Sequence, residues 1–257
     1  MSEPWHAAAA VLWNAWASGE ALPGLPSRYA PGDLDDAYAI QTCLDRLAGP
    51  KVGWKIAATG AGGQAVLGVD HPLAGPLYAR FATEPGGEVD FEAFRMRTIE
   101  AEFGFVMRGP LKAAEAPFDR GAVLAALGAF VPAIEVPNTR YLDHRAVGGP
   151  QLVADAACAG TFVLGEPVED YDPGALPSHR VELSAGASEP VEGTGERVLG
   201  DPVEAVRWLA NELASRGQEL AAGEAVITGA AAPMRDPGPG LAVADFGALG
   251  SVSISLS

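Results

Sequence analysis

An α+β fold is the expectation from this sequence, and three features of its patterning lead to it. The first fifty residues hold two stretches with apolar residues at helical spacing. From Lys51 onward, short apolar segments are separated by Gly and Pro turns, the texture of strands. Those segments do not alternate regularly with helices, which disfavours a parallel α/β sheet. The expected organisation is a helical N-terminal portion, residues 1–65, packed on a β-rich catalytic core, residues 66–257.

The stretch "SEPWHAAAAVLWNAWASG" reads as the first helix. Ser2 can cap it, Pro4 suits its first turn and Gly19 follows its end. Trp5, Ala8, Leu12 and Trp16 form its apolar stripe. A loop rich in Pro and Gly, 22–32, leads to a second helix over 34–47, with Asp33 as cap and Gly49 after it. Leu34, Ala37, Ile40, Leu44 and Leu47 are its stripe. Strands are expected at "KVGWKIA", "TIEAEFGFVM", "FVPAIEV", "GTFVLG", "HRVELSA", "EAVITG" and "SVSISL". Two helices interrupt them. One starts at Asp119 and carries "GAVLAALG". The other is "DPVEAVRWLANELASRG": Asp201 caps it, Pro202 takes the first helical position and Gly217 ends it. Its inward residues are Val203, Val206, Leu209 and Leu213.

Composition narrows the function classes. A hydrophobic content of 48% is enough for a core in a chain of 257 residues. The net charge of −16, with no cluster of Lys and Arg, argues against a nucleic-acid partner. No run reaches the roughly 18–20 apolar residues of a membrane span. The N-terminus carries no basic region of a signal peptide. Cys43 and Cys158 are too few for a disulfide scaffold and lack zinc-site spacing, so reduced thiols in a cytoplasm are expected. "TGAGGQ" lacks the Lys-Ser/Thr ending of a phosphate loop, and no Gly-x-Ser-x-Gly elbow is present. His6 lies on a helix, and His71, His144 and His179 lie in loops without ligand spacing.

The chemistry concentrates in acids inside apolar runs. If "TIEAEFGFVM" is a strand, Ile99, Ala101, Phe103, Phe105 and Met107 share one face. Glu100 and Glu102 share the other, ahead of Gly104 and Val106. Glu135 sits in a second such run, "FVPAIEVPNTRY". Taken alone, the first two could be a solvated strand face, and Glu135 could pair with Arg140. Taken together, buried carboxylates on neighbouring strands repel one another unless a cation lies between them. Three carboxylates without His or Cys form a hard, all-oxygen site that suits Mg²⁺ best, with Mn²⁺ or Ca²⁺ as alternatives. Lys55, in "VGWKIA", is either a snorkelling surface residue or a proton-transfer group. In the second case, burial and a neighbouring cation would lower its pKa. Asp155, in "QLVADAACAGTFVLG", is by default a cap or turn residue.

The chain resembles the 2-oxopent-4-enoate hydratase and 4-oxalocrotonate decarboxylase group of the fumarylacetoacetate hydrolase superfamily. The matching pieces, in order, are "DDAYAIQ", "VGWKIAATG", "LGVDHPLAGPL", "IEAEFGFVM", "AIEVPNTRY", "LVADAACAGTFVLG", "DPVEAVRWLANELASRGQELAAGEAVITG" and "VADFGALGSVSISL". The resemblance implies a mixed β-roll or sandwich core, a homo-oligomer and a role in aromatic catabolism. A complex with a related decarboxylase or hydratase chain is a further implication. It also implies Mg²⁺ or Mn²⁺ held at the positions of Glu100, Glu102 and Glu135, and catalytic roles for Lys55 and Asp155. Two positions depart from the family pattern: Ala156 stands where many relatives have Asn, and Leu73 where many have Asp. Both are expected at the substrate pocket, so the substrate need not be the usual dienoate.

The implied activity is hydration of a 2-hydroxy-2,4-dienoate through a metal-stabilised enolate. Decarboxylation of a 4-oxalocrotonate-type diacid shares that enolate. Asp155 is expected to orient water or substrate. An acylpyruvate-type C–C hydrolase is a rival, but it needs a positioned base, often a His-Glu pair, and the sequence shows none. A non-catalytic subunit retaining the fold is the rival of a different class.

Overall fold

The computed structural model describes residues 3–257, so the expected Ser2 cap lies outside the described residues. Helix α1 (Glu3–Ser18) buries Ala8, Ala9, Leu12 and Ala15. Helix α2 (Leu34–Ala48) starts as expected, with the Asp33 carboxylate accepting from the Asp36 N–H at 2.9 Å. The buried Gln41 amide donates to the carbonyls of Ala74 and Val153, both at 2.9 Å, tying α2 to what lies beneath it.

The chain then runs through β1 (Lys51–Ala57), α3 (Ala61–Leu67), β2 (Leu73–Tyr78), β3 (Glu88–Val89) and β4 (Thr98–Met107). After α4 (Arg120–Ala126) come β5 (Leu127–Val136), α5 (Gly149–Ala154), β6 (Thr161–Leu164), β7 (Arg180–Ala185) and β8 (Val191–Thr194). Helix α6 (Pro202–Ser215) precedes β9 (Ala225–Arg235), β10 (Gly240–Asp245) and β11 (Ser251–Leu256). The strands form a six-stranded sheet, β2-β1-β9-β4-β5-β6, and a five-stranded sheet, β3-β11-β10-β7-β8. In the larger sheet only β1 and β9 pair in parallel.

Aromatic rings fill the space between the sheets. Phe103 of β4, Phe130 of β5 and Phe246, just past β10, are fully buried, with centroids 5.2–5.9 Å apart and rings edge to face. Each contributes roughly 1.5–3 kcal/mol by leaving water. The larger sheet is also strongly curled. β1 and β5 are three strand spacings apart in it. In a flat sheet that is about 14 Å, a gap that side chains standing perpendicular to the sheet would not bridge. Yet Lys55 Nζ of β1 lies 3.2 Å from Glu135 Oε1 of β5.

Elements not expected from the sequence are β2, β3, β8, β10, α3 and α5. In "LAGPLY", Gly75 and Pro76 read as a turn, but β2 is an edge strand, where a proline costs no ladder bond. β10 follows the run "DPGPG" and is only six residues long. The division expected at residue 65 cuts through the larger sheet, because β1 pairs with both β2 and β9.

Candidate metal centre and active site

Strand alternation places the acids. On β4, Phe103 and Phe105 point to the ring cluster, and Glu100 and Glu102 point the other way. Antiparallel pairing then sets Glu135 of β5 directly opposite Glu100. One oxygen from each of the three carboxylates lies within 4.8 Å of the others. Glu102 is 0% exposed and Glu135 1%, whereas Glu100 is half-buried at the edge of the group.

β9 shapes this floor from the other side of β4. Its register slips at Glu102, and the Gly229 N–H donates to Glu102 Oε2 at 2.7 Å. Gly229 sits at φ +100°, and a Cβ there would lie 2.2 Å from Thr59 Oγ1, so a side chain is excluded. Glu102 Oε1 and both Glu135 oxygens have no hydrogen-bond partner among the described residues. The Lys55–Glu135 contact is a charge pair without hydrogen-bond geometry.

These acids raise one another's pKa. Burial first, then Glu135, pushes the Glu100 carboxyl up to about 7. Burial, then Glu135 and Glu100, holds Glu102 well above the usual carboxylate range. Burial also raises Glu135, against the pull of Lys55. With all groups ionised, three carboxylates and one ammonium leave two negative charges. One divalent cation would balance them and occupy the unpartnered oxygens, so the residues present fit a hard ion.

Lys55 is 2% exposed, and its Nζ donates to the Ala157 carbonyl at 3.0 Å. The expected fall in its pKa supposes a cation beside it; with the acids alone the balance is different. Burial does favour the neutral amine, but Glu135, Glu100 and Glu102 outweigh it and raise the pKa above the ordinary lysine value.

The carbonyl that receives Lys55 belongs to an unusual turn. Ala156, Ala157 and Cys158 have φ of 53°, 51° and 63°, three successive left-handed residues without a glycine. Arg140 clamps the turn. Its guanidinium pairs with the Asp155 carboxylate and donates to the carbonyls of Asp155 (2.8 Å) and Ala159 (3.0 Å). Asp155 also accepts from Thr139 Oγ1 at 2.9 Å and the Arg140 N–H at 3.0 Å.

Beside the centre opens a cavity of about 910 Å³, within the usual range for small-molecule sites. Buried Lys55, Thr98 and Cys158, with Glu100, line its inner part. Exposed Arg95, Arg145, Arg197 and Arg235 line its outer part. Of the residues singled out in the sequence, Lys55, Glu100, Glu102 and Glu135 therefore come together. Three others do not reach the cavity. Asp155 is held in the Arg140 clamp, Leu73 is wholly buried in β2 opposite Ala57, and Ala156 is wholly buried in the turn. The four arginines were not singled out. They come from four separate segments, so no local spacing announces them.

No protein-family model matches the chain. The 2-keto-4-pentenoate hydratase of Paraburkholderia xenovorans (strain LB400) is 33% identical over 239 residues, covering 91% of this chain and 87% of that protein. The 4-oxalocrotonate decarboxylase of Pseudomonas sp. (strain CF600) is 32% identical over 229 residues, 86% of this chain and 85% of its own. The chain belongs to this hydratase–decarboxylase family. It is accordingly an enzyme of the lyase kind. Among solved structures, the family's 4-oxalocrotonate decarboxylase from Pseudomonas putida G7, complexed with magnesium and adipate, superposes with a TM-score of 0.86. It is 28% identical, and the match covers 99% of this chain and 98% of that one. The same enzyme complexed with calcium and acetate matches equally well, at 29% identity. A putative fumarylacetoacetate hydrolase family protein from Yersinia pestis CO92 shares the fold alone, with a TM-score of 0.57, 14% identity and 79% and 92% coverage.

Proposed function

We propose that this chain is a divalent-metal-dependent lyase for a small 2-oxo acid, hydrating a 2-hydroxy-2,4-dienoate of the 2-oxopent-4-enoate type. The observation that carries the reading is the group of three carboxylates, two of them fully buried with unpartnered oxygens, beside a buried lysine and an open cavity. Glu100, Glu102 and Glu135 would hold Mg²⁺, or Mn²⁺ in its place. When bound, the ion supplies the Lewis-acid charge that makes the enolate of a 2-oxo acid accessible. Hydration puts a hydroxyl on C4 and protons on C3 and C5, one proton coming from the water and one from the enol. Lys55 Nζ, buried and fixed by the Ala157 carbonyl, is the group we assign to proton delivery at C3. Asp155 acts as a positioning residue, because its carboxylate is spent on Arg140 and Thr139. Both cysteines are buried and not joined in a disulfide, in keeping with a cytoplasmic home. We take the working form to be a homo-oligomer.

The test is to follow dienoate absorbance with the purified chain and Mg²⁺. Wild type should consume the dienoate, and a chelator should stop it. Lys55→Ala should lower kcat about 100-fold or more with little change in Mg²⁺ affinity. A wild-type chain that consumes no dienoate, alone or with a related partner chain, rejects hydration. Release of CO₂ from 4-oxalocrotonate would instead establish decarboxylation, the reading favoured by the likeness to the decarboxylase structure.

A further inference from the structure

Addition of water to a dienoate moves protons at more than one place, and Lys55 serves only C3. When the water oxygen joins C4, one of its protons must leave to a base. The inner wall of the cavity is closed by Lys55, Thr98 and Cys158, all buried. With the 2-oxo acid head at that wall, C4 points toward the opening, and water reaches it from the open side.

Few side chains on this cavity can take a proton near neutral pH. The arginines stay charged. Burial pushes the Cys158 thiol up to about 12. Glu100 belongs to the carboxylate group. That leaves Glu196 and His144. Glu196 is exposed, in the short turn Gly195–Arg197. His144 is half-buried, in the segment between β5 and α5. Its ring has no hydrogen bond or ion pair among the described residues, so both nitrogens are free to meet a ligand.

Arg235 links His144 to the centre. Its charge acts on Glu100, at the edge of the carboxylate group, and also on His144. The imidazole therefore stands on the cavity wall near the more open edge of that group. Burial, then Arg145, lowers its pKa; Arg235 adds to this and Asp143 opposes it. At neutral pH the ring is uncharged and able to accept a proton.

We propose that His144 is a catalytic base, taking the proton from the water that adds at C4. The proposal rests on the hydration reading and supplies its second proton-transfer residue. Once the enol proton has moved to C5, the substrate is a 2-oxo acid with a C3–C4 double bond. The water O–H bond breaks, its proton goes to the imidazole, and the oxygen bonds to C4. The C3–C4 electron pair shifts to C2–C3, and the keto oxygen takes the charge of the enolate. Lys55 then gives its proton to C3. The imidazolium loses its proton to solvent and the Lys55 amine regains one, which restores both groups.

Two reactions of the Mg²⁺-loaded protein test this. One is consumption of 2-hydroxypenta-2,4-dienoate. The other is exchange of the C3 hydrogens of 2-oxopentanoate in D₂O, followed by NMR, which uses the head site and Lys55 but adds no water. His144→Gln should slow hydration about 100-fold at saturating dienoate. It should leave C3 exchange and Mg²⁺ affinity at wild-type values, and Glu196→Gln should hydrate like wild type. Hydration at the wild-type rate in His144→Gln overturns the assignment. So does loss of C3 exchange together with hydration, which would make His144 a support of the head site. A block in Glu196→Gln in place of His144→Gln overturns it as well. A wild-type chain that exchanges C3 but does not hydrate the dienoate overturns the base and leaves the head site standing. A wild-type chain that does neither overturns the 2-oxo acid reading too.

Discussion

Glu102 shows what a residue in this centre costs and supplies. It is fully buried, with one oxygen bound to the Gly229 N–H and the other bare. Glu102→Gln keeps an acceptor for Gly229 but removes one charge from the group. Mg²⁺ affinity should fall at least about tenfold by calorimetry, while the chelator-treated variant melts higher than chelator-treated wild type. A variant that binds Mg²⁺ like wild type would remove Glu102 from the ligand set. The same residues set a pH dependence. Glu100 has its carboxyl pushed up to about 7, above the usual value near 4.3 for an unfolded chain. A carboxyl raised on folding favours the folded state at low pH, and that advantage is lost as pH rises through its folded value. The metal-free protein should therefore melt lower at about pH 8 than at about pH 6, and the Mg²⁺-induced rise in Tm should be larger at the higher pH. These acids were legible because a period of two in an apolar run puts Glu100 and Glu102 on one face. The rim arginines were not, because only the tertiary fold gathers residues 95, 145, 197 and 235.

Among the elements, the turn at Ala156–Cys158 is the one the sequence concealed. Nothing in "DAACAG" suggests left-handed backbone, for which Gly or Asn is the usual residue. The conformation is imposed from outside by Arg140, which grips the carbonyls on either side of it. It also accounts for the placing of Ala156, which tertiary contacts hold in the turn backbone and away from the cavity. Ala157→Gly should stabilise the chain, by up to about 1 kcal/mol in chemical denaturation, since it removes a left-handed alanine. Arg140→Leu should cost about 3–5 kcal/mol, because Asp155 would be left buried and unpaired. If Arg140→Leu unfolds at the wild-type denaturant midpoint, the clamp does not hold the turn. The strands were more transparent. β1 and β4 were expected with their observed limits, and β9 was expected but cut short at Gly229, where its register slips against β4.

For the molecule as a whole, patterning was enough for the class but not for the topology. Helices first and strands after gave α+β correctly, yet periodicity is silent on which strands neighbour each other. The mixed roll came from the resemblance, and the curl that joins Lys55 to Glu135 is a property of the assembled sheet alone. That sheet has β9 between β1 and β4, although β9 is residues Ala225–Arg235 and its neighbours are Lys51–Ala57 and Thr98–Met107. A ribosome releases the chain from its N-terminus, so the lysine strand and the glutamate strands emerge long before the one that welds them into a sheet. The three carboxylates sit on β4 and β5, which pair directly, whereas Lys55 is joined to them only through β9, Ala225–Arg235. The acids can therefore come together early, and the charge pair between Lys55 and Glu135 closes only once β9 has been inserted between β1 and β4.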